Sequence, residues 1–170
     1  QGPDNGLTID GGKTLAFELI GQLAGKPLDR LLIQVGGGAL ASACIQAFVE
    51  AHRSGAIKKL PRFHAIQTRG GFPLARAFDL VQERAAHTTI DEALNHARAH
   101  RSRFMWPWET EPESIAHGIL DDETYDWFAI VWGMLHTQGH PIVVDEDTLR
   151  EANNAVHETL AVPACHTGSA

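Results

Sequence analysis

LLIQVGGGALASACIQAF (Leu31–Phe48) changes character halfway along. Its first residues are almost all apolar, three glycines follow, and then apolar residues recur at Leu40, Ala43, Cys44, Ala47, Phe48 and, just beyond, Ala51. Spacings of three and four residues mark one face of an α-helix, which Gly55 closes. The run Arg30–Val35 is short, apolar and bounded by turn residues, as a buried strand of a parallel sheet would be. A second short run, PRFHAIQT (Pro61–Thr68), supplies another strand. Strand, helix and strand make a βαβ unit, whose crossover is nearly always right-handed.

Outward from this unit the pattern continues. KTLAFELIGQLA (Lys13–Ala24) carries Leu15, Leu19 and Leu23 at helical spacing, with Ala16 and Ile20 beside them, and Gly25 and Pro27 stop it. A helix is expected from near Phe72, and another after Thr89, where Thr89 and Glu92 form a capping box. The stretch from Phe104 to Ile119, with two prolines and two tryptophans, reads as an ordered surface loop. DDETYDWFAIVWGMLHTQG predicts a helix that starts at its acids and ends at Gly139. PIVVD is a third short strand, DEDTLREANNAVHETLA a last helix with an acid-rich first turn, and VPACHTGSA a strand or loop remnant. Alternation of strands and helices predicts a three-layer α/β sandwich with a mostly parallel sheet.

The totals bound the function. A chain of 170 residues is long enough for one domain with its own core. A net charge of -7 without Lys/Arg clusters argues against nucleic acid. No apolar run approaches the roughly 20 residues that span a bilayer, and no leader-like segment opens the chain, so a cytoplasmic protein with no membrane contact is expected. Cys44 and Cys165 have no metal-ligand spacing and read as free thiols. Both ends, QGPDNG and CHTGSA, read as the interior of something longer.

The glycine turn suggests chemistry. Backbone binding of a phosphate needs close approach without Cβ atoms, several convergent N–H groups, and the unpaired donors and dipole of a helix N-terminus. Val35–Leu40 meets all three. No G-K-[ST] follows, so this is not a P-loop. In G-x-G-x-x-G terms Gly36 and Gly38 fit and Ala41 takes the last place, but no acid ends the next strand. The same turn also serves as a tight strand-to-helix connection that holds no ligand, and a phosphate- or nucleotide-binding α/β module without further cofactor fits it too.

Four features in order resemble the threonine synthase-like branch of the type II fold (tryptophan synthase β-like) enzymes that depend on pyridoxal 5'-phosphate (PLP). They are the G-x-K-T at a helix opening (Gly11–Thr14), the glycine turn (Val35–Leu40), the L-P-R before a strand (Leu60–Arg62), and the glycine segment before Pro-Leu (Gly70–Leu74). HTQGHPIVVDEDTLREA (His136–Ala152) and TGSA (Thr167–Ala170) add to the likeness. It covers nearly the whole chain, except Phe104–Trp108, and matches the middle-to-late part of such an enzyme. The resemblance implies a PLP-dependent lyase or synthase acting on an amino acid by β/γ-elimination or replacement, as threonine synthases or ammonia-lyases do. It implies that Gly36, Gly37, Gly38, Ala39 and Leu40 cradle the cofactor phosphate, and that Thr167 and Ser169 lie near cofactor or substrate. It implies no metal. The family's Schiff-base lysine has no counterpart here, which implies that this chain alone is inactive. A homodimer, or a complementary chain carrying the N-terminal part, is the implied partner.

Other residues invite roles. Lys13 matches the helix-opening lysine of the family, not its nucleophile, and Lys26, Lys58 and Lys59 sit beside turns as solvated surface. His96 and His100 are four residues apart, but with no third ligand in view they read as a solvated face. His136 and His140 straddle a helix stop, and His166 stands next to Thr167. Cys165 is expected to be small and buried, since no base accompanies it. Trp127, Val131, Met134 and Leu135 form a helical stripe read as core. Trp106 and Trp108 either cap a pocket or pack on further polypeptide.

Overall fold

The computed structural model describes residues 6–160 and 162–170. In chain order these form α1 (Gly6–Leu23), β1 (Arg30–Gln34), α2 (Ala39–Arg53), β2 (Arg62–Thr68), α3 (Pro73–Ala85), α4 (Ile90–Ala99), α5 (Trp127–Thr137), β3 (Ile142–Val144), α6 (Glu146–Leu160) and the short α7 (His166–Ser169). Single turns of 3-10 helix cover Arg101–Arg103 and His117–Ile119. The three strands lie in the order β1-β2-β3, all parallel. Leu31 stands opposite Phe63 and Ile33 opposite Ala65, while Ile66 faces Ile142. Residues 63–68 of β2 point alternately to the two faces, and all are buried, so the central strand is covered on both sides. This is the expected α/β plan.

The main core lies between β2, α2, α3, α4 and α5. Helix α2 buries Ala43, Cys44, Ala47, Phe48 and Ala51 as its spacing predicts. Leu40 departs from that face and is 41% exposed, because Ala41 and Ile45 take the inward positions at the start of the helix. Phe48 meets Phe63 edge-on, with ring centroids 6.1 Å apart, a contact that adds about 0.5–1.5 kcal/mol to simple burial. The stripe on α5 is core as expected: Trp127, Val131 and Met134 are buried and Leu135 packs against them. A smaller cluster, Ala116, Ile119 and Leu149, gathers where α6 meets the loop before α5.

Two helix starts differ from expectation. Helix α1 begins upstream of Lys13, so the Gly11–Thr14 motif is inside it. Its inward face is Ile9 and Ala16, while Leu15 is 54% exposed. Helix α5 begins at Trp127, not at the acids before it. Those acids belong to a turn whose hydrogen bonds go elsewhere, as described below. The caps of α4 and α6 match their sequence signals. Glu92 N donates to Thr89 Oγ1 at 3.2 Å and Thr89 N to Glu92 Oε2 at 3.0 Å. Thr148 N donates to Asp145 Oδ1 at 2.9 Å. Among the described residues no helix is long and apolar enough to cross a membrane.

Candidate functional site

The glycine turn leaves the C-terminal end of β1, the edge of a parallel sheet at which α/β folds bind ligands. Gly38 caps α2 with φ 95°, a left-handed conformation in which a side chain would be strained, and no side chain caps the helix. The carbonyls of the turn are all taken. Thr124 Oγ1 donates to Gly36 O at 2.9 Å, Asp126 N to Gly37 O at 3.1 Å, and Ser42 N to Gly38 O at 2.9 Å. The amides are not: among the described residues no acceptor is paired with the N–H groups of Gly36, Gly37, Gly38, Ala39, Leu40 or Ala41. Tying the carbonyls back leaves a run of donors with a helix N-terminus behind them, the arrangement that attracts an anion.

Thr68 adds a second unfilled group. Continuing the register beyond Gln34 and Ile66 places it level with Gly36 on the neighbouring strand. It is fully buried, and its hydroxyl has no hydrogen-bond partner. A buried hydroxyl without a partner is costly, and such groups often mark where a ligand or water binds. Gln67, one residue earlier, is satisfied: its Nε2 donates to Val35 O at 3.4 Å and its Oε1 accepts from Ala75 N at 3.1 Å, which ties the start of α3 to the turn.

One continuous strap, residues 106–126, borders the turn. It begins at a clamp. Arg76 Nη1 donates to both carboxylate oxygens of Glu109, at 2.8 and 3.1 Å, and its Nη2 to Trp106 O at 2.6 Å. The guanidinium lies 3.8 Å from the centre of the Trp106 ring and 5.0 Å from that of Trp108. Trp108 in turn packs on Phe72. The strap then crosses the end of β2 so closely that a Cβ on Gly70 would stand 1.7 Å from Glu113 O. Ile115 N donates to Glu146 on α6 and Gly118 N to Thr167 Oγ1, both at 2.9 Å. Finally the segment from Ile119 to Asp126 folds over the turn. Asp121 Oδ2 lies 2.5 Å from where a Gly36 Cβ would be and 3.3 Å from a Gly37 Cβ, and the Tyr125 ring 3.2 Å from the latter. The charge of Asp122, with burial and the charges of Asp121 and Glu123, raises the Tyr125 phenol above its ordinary pKa.

The sequence-predicted residues therefore separate. Gly36, Gly37, Gly38, Ala39 and Leu40 form one donor-lined turn. Thr167 reaches the strap through Gly118. Ser169 turns to α6, where it accepts from Asn153 Nδ2 at 3.1 Å. Cys165 is exposed, contrary to expectation, because the last turn lies on the surface. The backbone amides of Gly168 and Thr167 lower its thiol pKa. Lys13 is paired with Glu50 at 2.6 Å and Asp10 at 3.1 Å, and these contacts hold its ammonium protonated above the usual range. Lys26, Lys58 and Lys59 are exposed. His96 and His100 stack on each other at 4.2 Å, and no metal-ligating group of three or more His, Cys, Asp or Glu occurs among the described residues. Beside the α2 N-terminus lies a cavity of about 520 Å³ whose lining includes Lys13, Ser42, Gln46, Arg98, Arg101 and Tyr125. Sequence reading missed Thr68, Asp121, Thr124 and Tyr125; the acids and turn residues after Leu120 were the available signal, and they resembled a helix start.

No family model matches the chain. Threonine synthase of Mycobacterium bovis is 37% identical over 152 residues, 89% of this chain and 34% of that protein. Threonine synthase of Methanocaldococcus jannaschii is 36% identical over 74 residues, 44% of this chain and 18% of that protein. The chain thus spans about a third or less of the length of these relatives. Among solved structures, a bacterial-type threonine deaminase, described as that of T.th., superposes with TM-score 0.70 at 18% identity, over 98% of this chain and 49% of that one. Maize serine racemase gives TM-score 0.65 at 21% identity, over 95% and 40%. The parallel sheet, the glycine turn and these likenesses agree: the chain has the type II fold of PLP-dependent enzymes and is similar in sequence to part of threonine synthase.

Proposed function

We propose that the glycine turn holds the phosphate of PLP, and that the protein to which this chain belongs is a lyase or synthase acting on an amino acid by β/γ-elimination or replacement. The observation that carries this reading is the run of six unpaired amides from Gly36 to Ala41 at the head of α2. Small residues and a left-handed Gly38 let an anion approach the backbone, and the buried Thr68 hydroxyl offers one further donor beside it.

When bound, PLP supplies an electron sink for charge that develops on the substrate. The chain's own residues bind and shield. Thr124 and Asp126 fix the carbonyls of Gly36 and Gly37 so that the amides face the anion, and the strap keeps water from the turn. None of the four lysines is placed for covalent work: Lys13 is neutralised by two carboxylates and the others are exposed. The Schiff-base lysine is therefore proposed to come from other polypeptide, and this chain alone to be inactive. Exposed Leu15, Phe17 and Leu32 suit burial against that polypeptide or a second copy in a homodimer.

The test is equilibrium binding of PLP and of inorganic phosphate to the chain and to Gly37→Asp, with a thermal melt to confirm that the variant folds. A carboxylate in the turn should abolish both affinities. Unchanged affinity in a folded variant would remove the turn from the site, and binding of nucleotide in preference to PLP would replace the cofactor assignment.

A further inference from the structure

The strap brings a charge of the wrong sign to the turn. Asp121 Oδ2 sits 2.5 Å from the Cβ position of Gly36 and 3.3 Å from that of Gly37, so the carboxylate rests directly on two of the residues whose amides are unpaired. It is half-buried. Arg101, the basic residue that reaches this stretch, pairs with Glu123 and not with Asp121. Asp122 and Glu123 follow in sequence and add to the negative field. The position is held from both sides. Ile119 packs its backbone against Gly36, and Thr124, three residues after Asp121, is tied to Gly36 O.

We propose that Asp121 is the residue that sets the affinity of the glycine turn and its preference for ligand charge. Resting on the phosphate-cradle reading above, this makes the strap more than a cover. Its hydroxyl and amide at Thr124 and Asp126 orient the donors, while its carboxylate at Asp121 opposes the anion those donors attract. A phosphate ester carries about 1.5 to 2 negative charges near neutral pH. Even at the dielectric constant of water, a dianion within a few ångströms of a fixed carboxylate loses about tenfold in affinity. A monoanion of similar size loses much less. Asp121 therefore keeps the turn from retaining free phosphate, and a ligand stays only if the rest of it contributes binding elsewhere.

The experiment measures binding of inorganic phosphate, PLP and methanesulfonate at pH 8 by titration calorimetry. The proteins are the chain, Asp121→Asn, and Asp121→Asn combined with Gly37→Asp, each checked by thermal melt. The expected result is about tenfold or more tighter phosphate binding in Asp121→Asn. A smaller gain is expected for the monoanionic sulfonate, and the phosphate gain should shrink as salt screens the pair. Equal phosphate affinity in the chain and in Asp121→Asn, with binding still lost in the double variant, would overturn the role of Asp121 and leave the cradle standing. So would a gain of the same size for the monoanion. Absence of phosphate binding in all three proteins, or binding that survives Gly37→Asp, would overturn the cradle itself and the role of Asp121 with it.

Discussion

Thr124→Val isolates the contact that orients the glycine turn. Thr124 is fully buried, and its hydroxyl donates to Gly36 O at 2.9 Å across 88 residues of sequence. Its methyl group faces Gly38, 3.0 Å from the Cβ position there. Valine keeps the shape and the methyl contact but removes the donor, so the buried Gly36 carbonyl loses its partner. Stranding such a group costs about 1–3 kcal/mol. For a domain of this size each kcal/mol moves the melting temperature by roughly 2–4 °C, so a fall of about 2–12 °C is expected. Thr124→Ser keeps the donor and should recover most of that loss. Phosphate affinity should fall in parallel in the valine variant, because Gly36 is then free to turn its peptide plane. Differential scanning fluorimetry with urea titration reads the first effect and calorimetry the second. A valine variant that melts within about 1 °C of the parent, well inside the shift expected for a stranded carbonyl, or a serine variant as damaged as valine, would refute the orienting role.

His64 and Arg76 carry the remaining predictions. His64 is buried on β2, its Nδ1 is 3.1 Å from His140 O, and its Nε2 has no partner. Burial lowers its pKa, the positive charges of His140, Arg30 and Arg62 lower it further, and the hydrogen bond to His140 partly opposes them. The neutral form is thus the folded one. Its stability contribution is whole above the unfolded value of 6.5 and is lost as pH falls from there through the folded pKa. The urea midpoint should drop as pH is lowered from about 7.5 to about 5.5, a window that brackets the unfolded value, and less in His64→Gln; equal slopes in the two proteins would count against it. Arg76→Lys removes the paired hydrogen bonds to Glu109 and the flat stack on Trp106. A shift in tryptophan emission and a loss of about 1–3 kcal/mol are expected, and an unchanged spectrum would show that the clamp does not hold the strap.

Features that depend on near neighbours are legible in the sequence alone. The strand, glycine turn and face of α2 follow from one stretch, Leu31–Phe48, because burial period and backbone freedom act over a turn or two. The caps of α4 and α6 are legible for the same reason: Thr89 with Glu92, and Asp145 with Thr148, each close a hydrogen bond three residues apart. Features whose partners stand far along the chain needed the folded molecule. The acids after Leu120 have the composition of a helix start, yet Thr124 and Asp126 find better partners in Gly36 and Gly37, and α5 begins only afterwards. Arg76 is an ordinary helical arginine until Trp106 and Glu109, some thirty residues later, fold onto it. Leu15 looks as buried as Ala16 in the sequence, but only Ala16 faces the core. Periodicity fixes which residues share a face; which face turns inward, and which acid comes to rest on the glycine turn, is set by packing between elements that the chain brings together only when folded.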